Sequence, residues 1–169
     1  MKRVLLLCIG LAAFTRTYAE GTVPSSSLTD ERQRTMSYLG ELSAWKQQPG
    51  ILVHECEKVD PPGAADRRAI YDQWTTKNHE ALGRVDLYLQ EIVPRLVPSE
   101  TIKGADPVKA LNASTFIQLS RPIYFMAPEK KLKLCQNFKD LPLLNSEKME
   151  PILKEAFMSL DKWKEAHPK

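Results

Sequence analysis

Cys56 and Cys135 are the two residues of this chain whose type most directly implies a bond: the third cysteine, Cys8, lies in an apolar N-terminal run that reads as a removable leader, and an even pair in a chain so exported is the usual signature of a structural disulfide. Neither belongs to a CxxC pair, the close spacing that metal-binding and redox thiols usually show. Closing a loop of about 80 residues stabilises a fold by roughly 4.5 kcal/mol in the chain-entropy picture. His54-Glu55-Cys56-Glu57 has metal-ligand chemistry in its residue types. On a helix, however, neighbouring residues diverge, so only His54 and Glu57 share a side, and two ligands do not make a site.

The other candidates are polar or aromatic residues on helical spacing. Tyr71, Trp74 and Asn78 share one helix face, with His79 next to it, and Asn78 falls inside an apolar stripe where an amide must find partners. One reading makes Trp74 a core residue and Asn78 a register-setting amide; the other makes Tyr71, Trp74, Asn78 and His79 a ligand or partner face. Lys130, Lys131 and Lys133 with Lys139 form a basic cluster, either a solvated helix face or a patch for an anionic partner. An enzyme site would have to be assembled from scattered acids such as Glu55, Glu57, Asp72 and Glu80, and HExxH, GxSxG, a phosphate-cradling glycine loop and CxxCH do not occur. No catalytic residue, metal site or cofactor is assigned. Asn112-Ala113-Ser114 fits the N-glycosylation acceptor pattern, which matters only in a eukaryotic secretory pathway.

The elements that must hold these residues begin after a leader. Met1-Lys2-Arg3 is basic, residues 4–14 are apolar, and Thr17-Tyr18-Ala19 ends the segment with small side chains at the positions a signal peptidase reads. Residues 1–19 are expected to be a signal peptide cleaved after Ala19, sending the chain to the periplasm or outside the cell. The apolar run is too short to span a bilayer, and nothing later replaces it, so no integral membrane span is expected. Cys8 follows bulky leucines, which argues against a lipoprotein site. The short basic start suits a bacterial envelope protein.

The whole chain carries 24 basic and 21 acidic residues; the excess of three is supplied by Lys2, Arg3 and Arg16 of the leader. A balanced remainder without a basic block argues against a nucleic-acid partner. The charge is uneven, with 11 basic and 14 acidic residues over 20–120, and 10 and 7 over 121–169.

Residues 20–27 are small and polar and read as a flexible lead-in, followed by a single helical domain over 28–169. A first helix is expected over 28–47, stopped by Pro49 and Gly50, with a short helix carrying Leu52, Val53, Cys56 and Val59 after it. Pro61-Pro62-Gly63 ends that helix. Over 64–92, Ile70, Trp74, Ala81, Val85, Leu89 and Ile92 recur at three-, four- and seven-residue intervals, predicting one spine helix of about eight turns. Asp106-Pro107 supplies a cap and a first-turn proline for a helix to about Leu119. Residues 121–127 read as a buried crossing or a short extended piece. A helix over about 128–140 should turn Leu132, Cys135 and Phe138 inward. A last one over 145–165 should bury Met149, Ile152, Leu153, Ala156, Leu160 and Trp163. No strict alternation competes, so the fold class is all-α, a small bundle of about five or six helices with one disulfide.

At Leu28-Thr29-Asp30-Glu31-Arg32-Gln33 the chain resembles the LTxxQ motif of the small helical periplasmic stress chaperones related to Spy and CpxP. Arg32 stands at the motif's glutamine position and Gln33 follows one place late. The resemblance covers six residues and implies ATP-independent binding of unfolded proteins on a concave helical surface. Capping chemistry accounts for the same residues, with Thr29 as N-cap and Asp30 and Glu31 at the positive helix start. The expected function is therefore a non-enzymatic binding protein of the cell envelope, of inhibitor or immunity type, with a protein partner there. A periplasmic chaperone and an enzyme built from scattered acids are the alternatives.

Overall fold

A computed structural model describes residues 27–97 and 104–168; the leader and nearly all of the lead-in lie outside the described residues. Six helices make up the fold: α1 (Ser27–Val59), α2 (Ala64–Lys77), α3 (His79–Leu96), α4 (Pro107–Tyr124), α5 (Pro128–Gln136) and α6 (Ser146–Ala166). Short 3-10 turns at Pro61–Gly63, Phe138–Asp140 and Pro142–Leu144 join them. The chain is all-α, with no strand among the described residues, and Cys56 is bonded to Cys135.

The spine is not where apolar periodicity placed it. α1 is one unbroken helix of 33 residues that runs through Pro49 and packs on all five other helices. An interior proline removes a backbone hydrogen bond at a cost of about 3 kcal/mol. Here both flanks are anchored in separate cores: Leu39, Leu42 and Trp45 in one, Ile51, Leu52 and Val53 in the other, with Pro49 itself fully buried. Gly50 admits Tyr71 from α2, whose hydroxyl oxygen lies 3.2 Å from where a β-carbon would stand. The Pro-Gly pair thus serves helix packing instead of ending the helix. α1 already includes Ser27, so Thr29 sits inside the first turn and not at its cap.

The stretch 64–92 conversely divides at Asn78, whose backbone (φ −103°, ψ 12°) leaves the helical region. Trp74 O accepts the Asn78 backbone N–H at 3.0 Å and its side-chain Nδ2 at 2.7 Å, closing α2 just before α3 begins. A one-residue break barely rotates the stripe, so Trp74, Val85, Leu89 and Ile92 still enter a single core with Leu160 and Trp163 of α6. Periodicity is blind to such a break.

α4 opens as its sequence dictates: the Asp106 carboxylate accepts from the backbone N–H of Val108 at 2.8 Å and of Lys109 at 3.2 Å, ahead of Pro107. It then continues past Leu119 through Pro122 to Tyr124. Residues 121–127 are consequently neither a buried crossing nor an extended piece. Ile123 enters the second core, while Tyr124 and Phe125 point to solvent. The helix expected over 128–140 ends at Gln136 before the 3-10 turn of Phe138, and Leu132 lies outward with Leu134 half-buried in its place. α6 begins on Asn145, whose side chain accepts from Lys148 N–H, and tolerates Pro151 on its exposed side; Ile152 is exposed and Phe157 is buried instead.

The disulfide joins the end of α1 to α5, with both cysteines buried. Beside it, Arg67 is only 4% exposed and clamps the last turn of α1. Its guanidinium donates to Asp60 Oδ2 at 2.6 Å, to Cys56 O at 3.2 Å and to Asp60 O. A cation on the negative end of a helix and its unpaired carbonyls is favourable on both electrostatic and hydrogen-bonding grounds. Gly63 leaves room for this arrangement, since a β-carbon there would crowd both Arg67 Nη1 and Asp60 Oδ2 and force the ion pair to shift.

Candidate functional site

The four residues of the sequence-derived face part company in the fold. Trp74 is core, packed edge-on to Trp45 with ring centroids 5.2 Å apart and stacked on Tyr71 at 6.1 Å. Tyr71 is half-buried over Gly50. His79 is exposed, its Nδ1 3.1 Å from Thr76 O. Asn78 borders a concavity that the other three do not line.

That concavity is a groove of about 430 Å³ between the α2–α3 junction and α6. Ala81, Leu153, Phe157 and Met158 supply its apolar surface; Lys77, Arg84 and Lys154 bring positive charge and Glu150 a single negative one, with Asn78 on the wall. Arg84 lies over the Phe157 ring, 4.5 Å from its centroid, and forms an ion pair with Asp161. Its Nε donates to Tyr88 Oη at 2.8 Å, and Tyr88 donates its own proton to Asp161.

Tyr88 is 3% exposed; burial, reinforced by the bond to Asp161, pushes its pKa up to about 12. The phenol therefore stays protonated at neutral pH and acts as a donor that pins α3 to α6, not as a base. A raised folded-state pKa stabilises below the ordinary tyrosine pKa of about 10 and loses that contribution as pH climbs toward 12. Wild type should accordingly lose about 2 kcal/mol more than Tyr88→Phe between about pH 9.5 and 12, read from urea midpoints at each pH. Parallel losses in the two proteins would contradict this.

The scattered acids do not converge. Glu55 is bonded to Lys58 at 2.6 Å, with Lys131 at 3.9 Å, and the Lys58 hydrogen bond holds its pKa below the usual value. Arg68 does the same for Glu57 at 2.5 Å. Asp72 and Glu80 lie exposed on α2 and α3. His54 is exposed, Cys56 is in the disulfide, and no cluster of three or more metal-ligating side chains occurs among the described residues.

One carboxylate that sequence reading passed over lies elsewhere. Glu41 borders a shallow cleft of about 310 Å³ with Arg34, Ser37, Tyr38 and Glu155. Burial, opposed by the Ser37 hydrogen bond, raises its pKa, with the Glu155 charge adding to the rise. Tyr38 donates to Glu155 at 3.0 Å. Nothing in the spacing of Glu41 and Glu155, from opposite ends of the chain, marks them as neighbours.

Two surface features remain. Lys130, Lys133 and Lys139 are exposed, while Lys131 is drawn in toward Glu55. Asn112 is half-buried on α4, its Oδ1 accepting from the buried Ser43 hydroxyl at 2.9 Å in a network that includes Gln47. The outer side of α4 carries Phe116, Ile117 and Tyr124, with Phe125 just beyond; they are 50%, 60%, 71% and 75% exposed. Tyr124 and Phe125 meet edge to face at 5.2 Å. No helix among the described residues is long and apolar enough to cross a membrane. Comparison with protein-family models, curated proteins and solved structures finds no match to this chain.

Proposed function

We propose that this chain is an exported binding protein of the cell envelope that engages a protein partner through the outer face of α4. The observation that carries the reading is the cluster of Phe116, Ile117, Tyr124 and Phe125 held in solvent by a helix whose other side is locked into both cores through Leu111 and Ile123. Large apolar side chains kept together on a surface mark interaction sites, and aromatic residues dominate binding energy at such sites. A rigid helix presents them at little entropic cost. The leader read from residues 1–19 supports a partner outside the cytoplasm. An inhibitor or immunity-type protein acts through such a surface, without chemistry of its own.

The same aromatic cluster would also serve a chaperone, and the two readings differ in stoichiometry. Affinity capture from native envelope should recover one partner at fixed stoichiometry. The Tyr124→Ser/Phe125→Ser variant should lose it by about a hundredfold in affinity, as expected for removing two aromatic anchors worth about 1 to 2 kcal/mol each. Both residues are exposed, so the melting temperature should not move. Undiminished capture by the double variant would refute the α4 assignment. Broad suppression of aggregation of unrelated unfolded proteins would support the chaperone instead.

A further inference from the structure

We propose that the groove between the α2–α3 junction and α6 binds a single-chain amphiphile with an anionic head. Its volume of about 430 Å³ lies in the range of small-ligand pockets. Leu153 and Met158 supply an apolar floor, Met158 standing 50% exposed, and Phe157 backs them beneath the Arg84 guanidinium. The charged groups lining the groove are three cations against Glu150. Arg84 is already held by Asp161, whereas Lys77 and Lys154 form no ion pair among the described residues. An alkyl chain covers the floor and its head offsets the two unpaired ammonium groups, so both halves of the ligand are needed. A neutral tail leaves the two exposed ammonium groups without a counter-charge, and a free anion gains only weak, solvent-screened attraction. The groove lies on α2, α3 and α6 and so is independent of the α4 surface.

Calorimetric titration of the purified protein tests this with laurate, dodecanol, inorganic phosphate and phosphatidylglycerol vesicles. Laurate should bind at one saturable site. The Lys77→Glu/Lys154→Glu variant should weaken it about tenfold, the sum expected for losing two exposed charge pairs, with an unchanged helical circular dichroism spectrum. Met158→Glu, which puts a negative charge on the floor, should weaken it at least as much. Dodecanol should bind up to about tenfold more weakly than laurate, phosphate, which lacks the tail, more weakly still, and Tyr124→Ser/Phe125→Ser should bind laurate as wild type does. Equal affinity for dodecanol, equal affinity for phosphate, insensitivity to both groove variants, or binding to vesicles but not to laurate would each overturn the proposal.

Discussion

Cys56→Ala is expected to cost the fold about 4.5 kcal/mol, the chain-entropy value for a bridge across a sequence separation of 79 residues. That loss is comparable with the entire net stability of many small domains. The bond joins α1 to α5, a helix of nine residues that is too short to persist without tertiary anchoring. Cys135 and Phe138 are the points at which this segment enters the interior. Reductant should therefore lower the wild-type melting temperature steeply and leave Cys56→Ala where it is. Equal midpoints for oxidised and reduced wild type would show that packing alone holds the segment.

Trp74→Ala should cost about 3 to 5 kcal/mol, the range for truncating a buried aromatic. Trp74 is 6% exposed, and its loss strips a ring partner from both Trp45 and Tyr71 while opening a void between α1 and α2. Asn78→Ala provides the internal scale. It removes a single hydrogen bond to Trp74 O, worth about 1 kcal/mol, and leaves the backbone bond to the same oxygen in place. Urea midpoints for the two variants should thus differ severalfold in their displacement from wild type. Near-neutral behaviour of Trp74→Ala would return that residue to the list of partner-binding candidates.

The class of fold and the cysteine pairing were legible because both rest on local rules: apolar residues at helical intervals, and the two cysteines that remain once Cys8 is set aside with the leader read from residues 1–19. The exchange of roles between α1 and the 64–92 stretch was not. Pro49-Gly50 reads as a stop until the buried flanks on either side and the Tyr71 ring over Gly50 are known. Asn78 breaks a helix without disturbing the stripe by which a helix is recognised. Both outcomes are tertiary, since packing offsets a weak backbone position in one case and hides it in the other.

Functional residues divided in a similar way. Trp74 and Asn78 were conspicuous in sequence because they lie on one stripe, yet Trp74 is spent in the core. Arg67 bore no mark at all, for a guanidinium on α2 reveals its task only when the end of α1 lies beside it. Tyr124 and Phe125 lay in a segment, 121–127, that read as either a buried crossing or a short extended piece, and the sequence alone did not show that both side chains face solvent. Groove residues Lys77 and Lys154 come from helices far apart in sequence, and no spacing rule joins them.

The proposed partner is expected to dock on the aromatic end of α4, in the envelope to which the leader of residues 1–19 would deliver the chain. Site-specific photocrosslinking tests it most directly, with a photoreactive side chain replacing Phe125 in living cells and the envelope fraction examined after irradiation. One discrete adduct, absent when the probe replaces the exposed Gln73 on α2 instead, is expected. An adduct of equal yield at both positions, a smear of many products, or no adduct at position 125 would contradict it.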